Sequence, residues 1–372
     1  MDNVIKYYDI KEDIEEYPEA WCYIITGGRK GGKTYSTLWY AYENKIPFIF
    51  CKRTMDDVDI LCAGSDISKR DGVLRKMEGG VDLSPFKSIN RDKGTNVQAF
   101  SIRKGIGAFY NCTEEHEAKG KPVGYIFGLS GVTKFKGFEL AESCKDQFII
   151  FDEFIPNIYD RTNINEGTQL LDFYMTVTRD RIERGLNEIK LICLANATNI
   201  SNSITNTLEI TDQLAQMQID RQSRLYLPEK KIFIHQIEIE ENRAELDANT
   251  GIYMAMKGTR WGAMTYDNSF SYNDFTNVDR QSIKKTKPVC GFKHNRQTFY
   301  IYHKDNNFYV CRSRAEGVKV YDLFLRGDRK KFYLDYCMDI QEATVSGLVK
   351  YETYTAYDVI MNFKKHYKLD DF

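Results

Sequence analysis

Residues 24–34 read Ile-Ile-Thr-Gly-Gly-Arg-Lys-Gly-Gly-Lys-Thr. They satisfy the pattern G-x-x-x-x-G-K-[ST], with Gly27, Gly32, Lys33 and Thr34 at its fixed positions. In such a loop glycines let backbone N–H groups close around phosphates, the lysine reaches β- and γ-oxygens, and the hydroxyl can ligand Mg²⁺. The whole run Gly27, Gly28, Arg29, Lys30, Gly31, Gly32, Lys33 and Thr34 is therefore the candidate ATP-binding segment. Its flanks agree with that reading. Residues 21–26 are a short apolar run that predicts a buried strand, and residues 34–43 hold no breaker and predict a helix. The loop thus joins a strand to a helix, whose N-terminal dipole end favours an anion.

The rest of the composition narrows the class. The chain has 372 residues, 42% apolar and 28% charged, which suits a globular protein of two or three domains. The first thirteen residues are polar and acidic, so no signal peptide is expected. No apolar run approaches the roughly 18 residues of a membrane span. Nine cysteines are scattered without a C-x-x-C pair, which argues for reduced thiols and against a structural zinc. The histidines His116, His235, His294, His303 and His366 have no ligand spacing, and none is assigned to metal or catalysis. Net charge is −1, but it is unevenly spread. From Thr276 onward there are eighteen Lys/Arg against twelve Asp/Glu, so the tail is +6 and the remainder −7. Lys284, Lys285, Lys287, Lys293 and Arg296 cluster there, as do Arg326, Arg329, Lys330 and Lys331. Such clusters are phosphate-facing patches or solvated faces.

A phosphate loop needs an acidic partner for its metal. Residues 148–151 (F-I-I-F) predict a buried strand that delivers Asp152 and Glu153 at its C-terminal end, where α/β sheets place ligands. Asp152 with Thr34 would hold Mg²⁺, and Glu153 would orient the attacking water. Residues 47–53 and 122–130 read as further strands, so at least one strand is expected between the loop strand and the Asp-Glu strand. Residues 169–181 predict a helix, with Leu170, Leu171, Tyr174 and Val177 on one face. Arg179, Arg181 and Arg184 follow it. They either reach a neighbour's phosphates or cap a solvated helix end favoured by the dipole. Residues 189–195 predict another strand ending at Asn196, which is either a γ-phosphate sensor or a turn residue.

These segments together resemble the DNA-encapsidation ATPases of small phi29-type phages, the terminase-like motors of podophages. The matching runs are G-G-R-K-G-G-K-T, with its basic third residue Arg29, then I-I-F-D-E-F-I, then M-T-V-T-R-D-R followed by L-I-C-L-A-N-A, and G-T-R-W-G-A-M-T-Y-D-N-S-F at residues 258–270. They arrive in the family's order and span roughly residues 20–275. The resemblance implies an additional-strand, catalytic-glutamate P-loop fold using ATP and Mg²⁺. It implies that Arg179 acts in trans on the adjacent subunit and that Lys136 is a second basic residue reaching the same interface, with Lys134 its close competitor. Arg53 matches an arginine found after the second strand. The family's DNA-facing lysine beyond that point has no counterpart, because Thr54, Met55, Asp56 and Asp57 follow; Lys69 and Arg161 are the substitutes considered for facing DNA. The implied partners are double-stranded DNA, the capsid portal, further copies of the chain in a ring, usually a pentamer, and, in the phi29-type motor, a packaging RNA. The implied location is the host cytoplasm and, transiently, the portal vertex of the procapsid.

Because many large packaging ATPases carry an RNase-H-like nuclease as a second domain, the resemblance implies such an α/β domain in the tail, and the residues read as a degenerate one. Strands are expected at residues 288–293, 299–303 and 308–312, the last two joined by a turn at 304–307. The first lacks the Asp that two-metal nuclease chemistry needs, Asp305 falls in the turn, and Asp335 and Asp339 stand alone. A domain that binds nucleic acid or portal without cutting is expected. Residues 354–369 predict a terminal helix. The expected organisation is an ATPase domain over 1–241, a linker module over 242–275 and the tail domain over 276–372. The leading function is ATP-driven translocation of viral DNA into a capsid. The alternatives are a packaging ATPase with an active nuclease, another P-loop translocase or helicase-like ATPase, a nucleotide switch with negligible turnover, and a small-molecule kinase.

Overall fold

The computed structural model describes residues 7–67, 74–76, 82–134, 138, 140, 144–156, 163–196, 199–237, 250–259, 262 and 273–367. The chain forms two compact units. One comprises Met1–Thr207 and Met217–Ser271, the other Leu208–Gln216 and Tyr272–Phe372. Most of the expected linker module at 242–275 lies outside the described residues. Among the described residues no helix is long and apolar enough to cross a membrane.

Among the described residues the first unit holds eleven strands, nine of them in one mixed sheet. In chain order the strands are β1 (Cys22–Gly27), β2 (Phe48–Lys52), β3 (Ser65–Ile67), β4 (Leu74–Lys76), β5 (Val97–Arg103), β6 (Ile106–Cys112), β7 (Ala118–Gly128), β8 (Phe148–Asp152), β9 (Lys190–Asn196), β10 (Arg224–Leu227) and β11 (Ile232–Gln236). β3 and β4 form a separate antiparallel pair. The sheet order is β10-β11-β1-β9-β8-β2-β7-β6-β5. Its central six strands, β11 to β7, run parallel. β10 and the β5–β6 pair close the two edges in antiparallel fashion. This is the mixed α/β fold with a large, mostly parallel sheet that the sequence predicts.

The sequence explains which strands are central. β1, β2, β8 and β9 are apolar on both faces, as strands covered on both sides must be. β7 begins with the exposed or half-buried residues A-K-G-K-P and becomes buried only near its end, as befits a strand that leaves the covered centre. One placement departs from expectation. The strand lying between β1 and β8 is β9, which comes later in the chain. β2 and β7, the earlier candidates, lie on the far side of β8. Pairing in a parallel sheet follows crossover connections and not chain order, so a sequence cannot show which strand is the insert.

Four helices matter for the site: α1 (Ile10–Glu16), α2 (Lys33–Glu43), α3 (Met55–Leu61) and α5 (Glu166–Thr178), with α4 (Phe86–Lys93) beside the antiparallel edge. α3 carries a full capping box, in which Thr54 accepts from the N–H of Asp57 while Asp57 accepts from that of Thr54. α1 docks through a buried acid. Asp13, 1% exposed, accepts from the Tyr8 hydroxyl at 2.8 Å and pairs with Arg224, and His235 Nδ1 lies 2.8 Å away. Burial pushes its pKa up, but the bonds and charge of His235, with Tyr8 and Arg224, outweigh that and hold it below the usual value.

The second unit has its own core around Phe292, Phe299, Phe332, Tyr351 and Phe363. Its sheet contains β12 (Lys287–His294), β13 (Gln297–Lys304), β14 (Asn307–Cys311), β15 (Val320–Asp322) and β16 (Val349–Tyr351), in the order β15-β12-β13-β14-β16. β12, β13 and β14 form an antiparallel meander, and β15 and β16 join its two edges in parallel. The expected terminal helix is two short ones, Tyr354–Met361 and Phe363–His366, broken at Asn362. The break lets the His366 ring return to within 2.6 Å of buried Asp358, to which Asn362 also donates. His366 also meets His294 edge-on at 5.3 Å.

Asp13→Ala is expected to destabilise the first unit by about 1–3 kcal/mol, because it removes the buried acceptor of Tyr8 and His235 and one of the two carboxylates of Arg224, which keeps Glu16. Since folding depresses the Asp13 pKa, its contribution is present above the ordinary carboxylate value of about 4 and is lost as pH falls through the lower folded value. Denaturant unfolding at pH 7 and at progressively lower pH checks this: the gap between wild type and variant narrows only in acid.

Candidate functional site

The C-terminal edges of β1, β9, β8 and β2 bring the candidate residues together. In the register of β1 with β9, Gly27 stands opposite Asn196, and in that of β8 with β9, Asp152 stands opposite Leu194. The loop turns directly into α2. Gly32 caps that helix with φ +88°, a conformation that glycine adopts without strain and other residues do not. Thr34 lies in the helix's first turn, and its Oγ1 donates to Asp152 Oδ1 at 2.9 Å. A hydroxyl and a carboxylate held this close are a hard-oxygen pair of the kind that Mg²⁺ takes from a protein, with phosphates and water completing its octahedron. These two residues therefore fit the metal.

Lys33 is 8% exposed. Its Nζ donates to Gly27 O at 3.1 Å, to Gly28 O at 2.8 Å and to Asn196 Oδ1 at 3.4 Å. Asn196 is the last residue of β9 and lies within reach of the loop lysine. Glu153 directly follows β8 in a left-handed conformation, φ +61°, with its side chain 59% exposed.

Residues that the motif reading did not single out complete the site. Lys52, the last residue of β2, pairs with Asp152 Oδ2 at 2.9 Å and with Glu153 Oε2 at 3.6 Å. Burial pulls its pKa down, but the two carboxylates outweigh that and hold it above the usual value. Arg53, noted only through the family resemblance, donates from Nε to Glu166 Oε1 at 2.6 Å and from Nη2 to the carbonyls of Glu153 at 2.9 Å and Phe154 at 3.2 Å. The available signal was position: Lys52-Arg53 closes an otherwise apolar strand at the edge where ligands bind. Tyr8 N donates to Gly31 O, and a Cβ at Gly32 would meet Tyr7 at 3.2 Å, so the N-terminal segment lies against the loop.

The three arginines after α5 separate. Arg181 is buried and donates to the carbonyls of Cys144, Lys145 and Asn187, which is a structural tie. Arg184 pairs with Asp180 four residues before it. Arg179 is exposed and closes α5 with φ +38°. A helix of thirteen residues is ~20 Å long, so Arg179 sits at the far end of α5 from Glu166, where its Nε donates to Thr176 O at 3.0 Å. Lys134 ends a 3-10 turn at Leu129–Lys134. Lys69, Lys136 and Arg161 lie outside the described residues.

Comparison with known proteins places the chain. No curated protein sequence matches it. Over 99% of its length it superposes on the whole of a chain of the Phi-28 gp11 DNA packaging motor, with a TM-score of 0.60 at 16% identity. Over 97% it superposes on 99% of a chain of the bacteriophage Phi-29 viral genome packaging motor assembly, with a TM-score of 0.59 and again 16% identity. At that identity the likeness is one of fold. The sequence model of the podovirus DNA encapsidation protein (Gp16) matches residues 118–369, which is more than half of the chain. The chain therefore belongs to the podovirus DNA encapsidation protein (Gp16) family.

Proposed function

We propose that the chain is the ATPase of a phage DNA packaging motor, hydrolysing ATP to drive double-stranded DNA through a portal into a capsid. The observation that carries this reading is the hydrogen bond from Thr34 to Asp152, with Glu153 next in the chain and Asn196 accepting from Lys33. That arrangement is what phosphoryl transfer to water requires: a cradle, a metal pair, a base and a polar group near the terminal phosphate.

The roles follow from the chemistry of each group. The loop N–H groups and Lys33 bind the β- and γ-phosphates. Thr34 and Asp152 hold Mg²⁺, which when bound neutralises charge on the phosphate oxygens. Glu153 orients the attacking water and takes its proton. Asn196 donates from its Nδ2 amide to the γ-phosphate, while its Oδ1 accepts from Lys33. Arg179, exposed at the far end of α5, reaches the nucleotide of the next subunit in a ring, and Lys136 joins it there. Membership of the DNA encapsidation family supports DNA as the partner, and the fold shared with a chain of a viral genome packaging motor assembly agrees with action within an assembly, which this reading takes to be a ring at the portal. The second unit, with its basic clusters at Lys284–Arg296 and Arg326–Lys331, is read as a nucleic-acid or portal-binding domain of nuclease-like descent that does not cut.

Lys33→Ala should abolish binding of a fluorescent ATP analogue; retained binding and hydrolysis would show the site to be misplaced. Arg179→Ala should bind ATP normally yet hydrolyse it ~10³-fold more slowly. Mixing it with Glu153→Gln subunits should restore part of the turnover, since one kind of subunit supplies the base and the other the arginine. No restoration at any mixing ratio would exclude action in trans. DNA affinity should fall steeply between 50 and 200 mM salt, with log Kd linear in log salt, because backbone phosphates carry such binding. A flat response would remove DNA as the partner.

A further inference from the structure

We propose that Glu166 is a positioning residue for hydrolysis, acting through Arg53 on the main chain of Glu153. The proposal rests on the reading of Glu153 as the residue that steers water. Glu166 is 4% exposed and opens α5. Its carboxylate receives Arg53 Nε at 2.6 Å, and the Arg53 side chain is 14% exposed. The same guanidinium donates to the carbonyls of Glu153 and Phe154. One buried carboxylate therefore orients one planar cation, and that cation grips the two peptides that follow β8.

Those two peptides set where the Glu153 side chain leaves the backbone. Glu153 is held at φ +61°, a region that L-residues avoid, so the surroundings must maintain it. Its side chain is 59% exposed, so packing does little to fix its aim. Arg53 supplies the constraint from the backbone side. A guanidinium presents five N–H donors in a rigid plane, so turning its Nε toward Glu166 fixes where its Nη2 points. Lysine at 53 would keep the charge but lose that geometry. A general base misplaced by about 1 Å can cost on the order of 10²-fold in rate while leaving nucleotide binding intact.

The alternative role for Glu166 is structural: an acidic first-turn residue that favours the start of α5. Steady-state and single-turnover hydrolysis, binding of a fluorescent ATP analogue with Mg²⁺, and thermal melting separate the two. For Glu166→Gln we expect kcat to fall roughly 10- to 100-fold, with analogue Kd changed less than about threefold. Arg53→Lys, which keeps the charge beside Glu166, should show the same split with a near-native melt, and it serves if Glu166→Gln fails to fold. The double variant Arg53→Lys/Glu166→Gln should be no slower than either single one, because the two residues act as a unit. A kcat retained in folded Glu166→Gln or Arg53→Lys, or independent losses that multiply in the double variant, would overturn the proposal. Wild-type protein and Glu153→Gln are run alongside. If wild type hydrolyses ATP, Glu153→Gln does not, and Glu166→Gln does, only this inference fails. If Glu153→Gln hydrolyses like wild type, the reading of the site itself has failed and this inference with it.

Discussion

The hydrogen bond between Thr34 and Asp152 joins residues 118 apart in the chain. It exists because β9 seats itself between β1 and β8, so that the phosphate loop and the acidic pair emerge side by side at one edge of the sheet. Parallel strands impose this. Every strand of the central six ends at the same edge, and the turns that follow β1, β8, β9 and β2 must share the space beyond it. The apolar residues of these strands, among them Ile24, Phe50, Ile150 and Ile192, are wholly buried, which makes the register expensive to shift.

That edge concentrates charge, and the charges are mutually satisfied. Lys52 faces Asp152 and Glu153, Arg53 faces Glu166, and Lys33 faces loop carbonyls and Asn196. Buried ions contribute little net stability unless paired and hydrogen-bonded, but breaking one pair is costly. Such a network is therefore better understood as fixing geometry than as holding the fold together. α5 is tied into it at Glu166 and presents Arg179 at its far end, so one helix carries both the buried carboxylate paired with Arg53 and the exposed arginine.

The second unit shows a different economy of parts. The nine residues Leu208–Gln216 belong with the C-terminal hundred residues, not with their sequence neighbours. Within that unit Asp212 accepts from the Thr355 N–H at the start of the Tyr354–Met361 helix and pairs with Arg312. A carboxylate at a helix N-terminus meets both the free N–H groups and the positive end of the dipole. Nothing in the local sequence around Asp212 announces this, because its partners lie 100 and 143 residues away.

Local chemistry alone settled the loop at Gly27–Thr34, the Asp152-Glu153 strand end, the buried strands and the meander of the tail. Each is written in a continuous run, through apolar pattern, glycine placement and turn residues, and needs no distant partner to be recognised. Tertiary structure decided what depends on partners far apart in the chain. It chose β9 as the strand between loop and carboxylates, set Lys52 and Arg53 beside them, and sorted three neighbouring arginines into a buried tie, a surface pair and an exposed helix end. It also broke the last helix at Asn362, where a return of His366 to Asp358 outweighed helical continuity. The physical reason is common to all of these: a side chain's role follows from what burial and charge place against it, and parallel-strand crossovers bring together groups whose separation in sequence carries no trace of their contact.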